Sequence, residues 1–131
     1  MYKPLSCQLN NVWIKHMDKF ELTKRIYTCF AHLQPQQILL FGSWSRNQQD
    51  SCSDVDIIVV YETQKRFMDR LQELYVSWNL PLAVDILAYT PEEFDIMRKE
   101  SSFVQDAIEE GEIIYEHAAQ GSQAMAGPSR G

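Results

Sequence analysis

The chain has 131 residues, enough for one domain with a modest core and too few for a second. Asp and Glu outnumber Lys and Arg 18 to 12, and the resulting net charge of -6 argues against broad nonspecific binding to nucleic acid. Cys7, Cys29 and Cys52 lack CxxC spacing and His16, His32 and His117 lack ligand spacing, so neither a disulfide framework nor a zinc site is indicated. With no apolar run of membrane-spanning length and no signal-peptide core after Met1-Tyr2-Lys3-Pro4, no membrane association is expected, and the expected location is a reducing cytoplasm.

Residues 1–17 are an N-terminal flank of mixed polarity, with Val12, Trp13 and Ile14 as an isolated apolar patch. From Asp18, the positions Leu22, Ile26, Cys29, Phe30 and Leu33 follow helical spacing, with Asp18 and Glu21 as a capping pair and Pro35 as the stop. Strands are expected over 37–41 and 55–61. A helix over 64–78 is expected to turn Phe67, Leu71, Leu74, Tyr75 and Trp78 to the core, closed by Asn79 and Pro81. A third strand, 82–89, alternates Leu82, Val84, Ile86 and Ala88 with Ala83, Asp85, Leu87 and Tyr89. Thr90-Pro91-Glu92-Glu93 is a capping box with proline at the first helical position. Ser102 and Gln105 offer another box for a helix through Glu110, Gly111 its stop, and 112–116 the last strand. The class is α/β, a small mixed sheet flanked by helices, over 18–116. Residues 117–131 turn to Ala, Gln, Gly, Ser, Pro and Arg and read as a flexible tail.

The chemistry concentrates between the first two strands. Ile38 to Phe41 is an apolar run that ends on Gly42, where the backbone can turn tightly and approach a ligand, followed by the hydroxyl of Ser43. After ten intervening residues come Asp54-Val55-Asp56, two carboxylates at i and i+2 on one face of the second strand, an arrangement that suits Mg²⁺. If these strands pair antiparallel, the Gly-Ser turn and both aspartates share one end of the sheet. A third strand beside the second adds Asp85, a carboxylate inside an apolar strand that needs a metal, a hydrogen-bonding partner or solvent. Apolar neighbours on both sides favour a covered strand over an edge in water. The plainer alternative is an ordinary Gly-Ser turn with aspartates as turn residues.

Joined together, Phe41-Gly42-Ser43, Arg46, Ser53-Asp54-Val55-Asp56-Ile57, Val84-Asp85-Ile86 and the terminal Glu110-Gly111-Glu112-Ile113-Ile114-Tyr115 resemble the minimal nucleotidyltransferases of the DNA polymerase beta-like superfamily. Asn47 stands where that family often has glycine after the loop arginine. The resemblance implies the nucleotidyltransferase fold. It also implies that Gly42, Ser43 and Arg46 hold the triphosphate of ATP and that Asp54, Asp56 and Asp85 are catalytic and bind Mg²⁺, as two ions. Among small members it points to the antitoxins of HEPN/MNT toxin–antitoxin pairs, which transfer AMP to a tyrosine of a HEPN ribonuclease toxin. An idle antitoxin acting by contact alone, and a freestanding transferase for a small-molecule acceptor, stay open beside it.

Overall fold

The computed structural model describes residues 18–42, 44–45 and 54–117. The Val12-Trp13-Ile14 patch, Ser43, Arg46 and the tail from 118 onward lie outside these residues. In chain order come α1 (Lys19–Phe30), one 3-10 turn (Ala31–Leu33), β1 (Gln37–Phe41), β2 (Val55–Val60), α2 (Phe67–Ser77), β3 (Val84–Tyr89), α3 (Pro91–Glu100), α4 (Ser102–Glu110) and β4 (Glu112–Glu116). The strands form one mixed sheet in the order β3-β2-β1-β4, with β2 and β3 parallel and the other two pairs antiparallel. This is the expected small mixed sheet with flanking helices.

Both faces of the sheet are covered, which is why β2 reads as an unbroken apolar run from Ile57 to Val60. On one face Val55, Ile57 and Val59 join Ile38 and Leu40 against Leu22, Ile26 and Phe30 of α1 and Leu74 of α2. On the other, Ile58, Val60 and Leu39 meet Phe94 of α3 and Val104 and Ala107 of α4. Each fully buried aliphatic chain of this kind stabilises the fold by about 1.5–3 kcal/mol, so the sheet centre is fixed by β1 and β2.

The helix ends follow local chemistry, with shifts from the sequence expectation. Asp18 caps α1 by accepting from the Glu21 amide at 2.8 Å. The α-helix stops at Phe30, and the chain reaches Pro35 through the 3-10 turn and a left-handed Gln34 (φ 55°). α2 starts at Phe67 rather than 64, because Arg66 is extended. Its buried face is also not the one expected. Leu74 is buried and Leu71 and Trp78 are partly so, but Phe67 and Tyr75 are exposed and Arg70 is buried instead. The reason is Glu93, which draws the Arg70 guanidinium inward through two hydrogen bonds.

β3 begins at Val84, two residues late, with Leu82 packed into the core before it. The cap of α4 is Ser101, which accepts from the Val104 amide, rather than Ser102. Gln105 serves a different end: its side-chain amide donates to the carbonyls of Arg98 and Lys99, closing the last turn of α3. No helix among the described residues is long and apolar enough to cross a membrane.

Candidate functional site

Strand register builds the site. Phe41, the last residue of β1, stands opposite Asp56 in the antiparallel pair, and Asp56 stands beside Asp85 in the parallel pair. The three residues therefore form a line across neighbouring strands, each step about 4.8 Å. Their face is settled by parity. Residues two and four further along β2 and β3, namely Ile58, Val60, Leu87 and Tyr89, pack on the α3–α4 side, so Asp56 and Asp85 share that side, and Asp54 precedes Asp56 by one period. The antiparallel pairing that would bring Gly42 and the aspartates to one rim is the pairing found.

Gly42 is required at this rim for two separate reasons. Its φ is 78°, in the left-handed region, and a Cβ there would fall on Oδ2 of Asp56 and lie 3.2 Å from its Cγ. The Asp56 carboxylate thus occupies the space a side chain at 42 would take. Immediately after the turn, Trp44 is 1% exposed and joins the core on the α1–α2 face. Its indole N–H has no hydrogen-bond partner among the described residues. Ser45 Oγ donates to the Gly42 carbonyl at 2.8 Å, tightening the turn, and lies 3.4 Å from the Glu110 carbonyl. Lys19 pairs with Glu112 at 2.8 Å and reaches the Ser45 carbonyl at 3.4 Å.

Gly111 belongs to the same arrangement. It is the helix stop that the sequence suggests, the C-cap of α4 with its N–H donating to the Ala107 carbonyl, but its φ is -94°, so left-handed freedom is not what it supplies. A Cβ at 111 would strike the carbonyl oxygens of Ala107 and Leu40 and sit 3.0 Å from Phe41 Cβ. The α4–β4 junction is packed directly on the exit of β1, and this close approach needs glycine. Sequence reasoning missed Lys19, Trp44 and Ser45 as supports of the turn. The available signal was a tryptophan directly after a glycine-containing turn, a bulky anchor next to a flexible link.

The carboxylates are aligned by backbone and are not drawn into a closed cage. Asp54 and Asp85 are exposed and Asp56 is half-buried, and among the described residues no three His, Cys, Asp or Glu side chains are gathered closely enough to hold a metal ion. The expectation that Asp85 lies in a covered strand is corrected. β3 is an edge strand, Asp85 sits near its start, and water reaches it, so burial cost alone does not demand a metal there. What remains is donor chemistry: hard oxygen ligands of one charge sign, on one face, beside a backbone turn with no Cβ. That set fits Mg²⁺, a hard cation that keeps waters and takes one or two protein carboxylates. The positions of Ser43 and Arg46 lie outside the described residues.

A family model described as polymerase beta, nucleotidyltransferase, matches residues 24–120. Among solved structures, the fold is similar to a chain in a toxin–antitoxin crystal structure with AMP-PNP, at 24% identity and TM-score 0.53, over 72% of this chain and 73% of that one. It is also similar to a candidate nucleotidyltransferase from Sulfolobus solfataricus, at 17% identity and TM-score 0.51, over 88% of this chain and 92% of that one. No curated protein matches the chain by sequence.

Proposed function

Because this chain belongs to the polymerase beta nucleotidyltransferase family, we propose that it transfers AMP from ATP to a tyrosine hydroxyl of a HEPN-type ribonuclease toxin and so acts as the toxin's cytoplasmic antitoxin. The observation that carries this reading is the in-register line Phe41–Asp56–Asp85 beside Gly42. The line has the Gly42 turn at one end and the exposed Asp85 carboxylate at the other, which supports reading the first as the phosphate-binding turn and the second as the base. Support for a toxin as acceptor is the fold likeness to a chain of a toxin–antitoxin assembly with AMP-PNP.

In this reading the backbone at Gly42, the hydroxyl of Ser43 and the charge of Arg46 hold the triphosphate. Asp54, Asp56 and Asp85 would hold Mg²⁺, which when bound neutralises charge on the attacking and leaving oxygens. The tyrosine oxygen bonds to the α-phosphorus, the bond from that phosphorus to the β-phosphate oxygen breaks, and pyrophosphate leaves with the electron pair. Asp85, solvent-accessible and furthest across the strands from the turn, takes the phenolic proton. A tyrosine hydroxyl titrates near pH 10, so attack at neutral pH needs such help. The protein's contribution is placement and charge compensation.

The test mixes the chain with its HEPN-type partner, ATP and Mg²⁺, and weighs the intact partner by mass spectrometry. One AMP increment per modified tyrosine is expected, and Asp85→Asn should abolish it while the complex still forms. A complex that forms with no increment would leave an antitoxin acting by contact alone. Activity of the isolated chain on a small-molecule acceptor would favour the freestanding transferase.

A further inference from the structure

Phe103 lies outside the line of Phe41, Asp56 and Asp85, and its placement is specific. It is the second residue of α4, 53% exposed, and its ring meets Phe41 edge-to-face with centroids 5.7 Å apart. Phe41 is the register partner of Asp56. From Asp56 to Phe103 is therefore one strand spacing of about 4.8 Å followed by one aromatic contact, on the face toward which the carboxylates project. The other exposed aromatic side chains among the described residues sit elsewhere: Phe20 and Tyr27 on α1, Tyr75 on α2 with its hydroxyl accepting from the Ile86 amide at the open edge of β3, and Phe67 at the start of α2 beside Arg70, Tyr89 and Glu93, at the end of the sheet away from the carboxylates.

In-line transfer fixes what such a ring can meet. The reacting axis runs from the acceptor oxygen through the α-phosphorus to the leaving oxygen, that is, from the Asp85 side towards the Gly42 turn. The nucleoside hangs from the α-phosphorus across that axis. Since Asp56 and Asp85 project to the α3–α4 face, the nucleoside has that face beneath it, and Phe103 is the exposed aromatic surface there. An edge-to-face contact with Phe41 covers at most one face of the Phe103 ring.

We propose that Phe103 is the stacking platform for the nucleobase of the bound nucleoside triphosphate, with Phe41 holding its ring in place. This deepens the nucleotidyltransferase reading and rests on it. A platform of this kind favours the larger purine bases by contact area and makes no hydrogen-bonded readout, so ATP and GTP are bound more tightly than CTP and UTP.

The experiment compares binding of ATP·Mg²⁺ and of tripolyphosphate·Mg²⁺, a probe with the phosphates and no base, by calorimetric titration. Phe103→Ala should weaken ATP roughly ten-fold, the loss expected for one stacked base, and leave tripolyphosphate unchanged. Phe103→Trp should restore ATP binding. Equal weakening of both probes, or of neither, overturns the platform, as does failure of Phe103→Trp to rescue. An unmutated chain that binds neither probe would instead remove the nucleotidyltransferase reading and this proposal with it. Unchanged ATP binding in Phe103→Ala with weakened binding of the acceptor would reassign Phe103 to the acceptor and likewise overturn it.

Discussion

The two ends of the sheet treat charge in opposite ways. At the end where β2 and β3 finish, opposite charges answer one another. Arg70, only 7% exposed, forms a paired contact with Glu93 (2.6 and 3.1 Å) and donates from Nε to the Lys65 carbonyl at 2.8 Å. Glu93 also accepts from the Thr90 amide while Thr90 Oγ1 accepts from the Glu93 amide, the expected capping box of α3. Beside it Tyr61 donates to Glu73 at 3.0 Å and Lys65 donates to the second Glu73 oxygen at 3.0 Å. At the end where β2 and β3 start, Lys19 pairs with Glu112 behind the turn, while three carboxylates, Asp54, Asp56 and Asp85, share one face beside Gly42. A fold gains little from gathering like charge, so the second end is the one on which the proposed function draws.

The sharpest break of that comparison is Asp54→Asn with Asp56→Asn. Mg²⁺-dependent ATP binding is expected to disappear in a calorimetric titration, and any transfer should fall by at least about a hundred-fold, the scale of losing positioned charge stabilisation. The melting temperature should hold or rise, because like charges are relieved. Unchanged affinity for ATP·Mg²⁺ would refute the assignment of these carboxylates.

The converse change, Glu93→Gln, should damage the fold and spare the site. Removing one partner of a fully buried ion pair costs about 3–5 kcal/mol. Glu93 is 44% exposed on its side chain and glutamine keeps an acceptor, so about 2 kcal/mol is expected here. Denaturant unfolding measures the loss, and ATP·Mg²⁺ titration of the folded variant should match the unmutated chain. A variant as stable as its parent would show that the pair is replaceable; lost nucleotide binding with stability intact would erase the distinction between the two ends.

Much of this was legible in the sequence because local rules sufficed. The apolar runs of β1 and β2, the Thr90-Pro91 start and the Asp18 cap each follow from residues within a turn or a strand of one another. The rim line was legible too, since a glycine turn and an i, i+2 aspartate pair on adjacent strands meet if the strands are antiparallel. What could not be read depends on distant partners. Arg70 turned inward in place of Phe67 and Tyr75 because Glu93, 23 residues away, holds it. Asp85 looked covered because its neighbours are apolar, but strand order, which makes β3 an edge, is not written in β3 itself. Gly111 is the stop that the sequence suggests, the C-cap of α4, but its second constraint, the carbonyl of Leu40, lies on another element.

The smallest expected effect concerns acid. The Arg70 hydrogen bonds hold the Glu93 carboxyl below the usual range, against the opposing effect of burial, with the Thr90 amide adding in the same direction. A group whose folded value is depressed contributes stability above its unfolded value, about 4.3 for glutamate, and loses that contribution as pH falls through the folded value. Glu73 is also lowered: burial works against it, and Lys65 and Tyr61 outweigh burial. Because Glu73 is present in both proteins, its share cancels when the unmutated chain is compared with Glu93→Gln. The stability gap between the two should therefore be constant from about pH 7 to pH 5 and narrow steadily below about pH 4. Denaturant midpoints at closely spaced pH values give the curve. A gap that stays constant through pH 3 would mean that the charge on Glu93 is not what holds Arg70, and that packing around its aliphatic stem carries the contact instead.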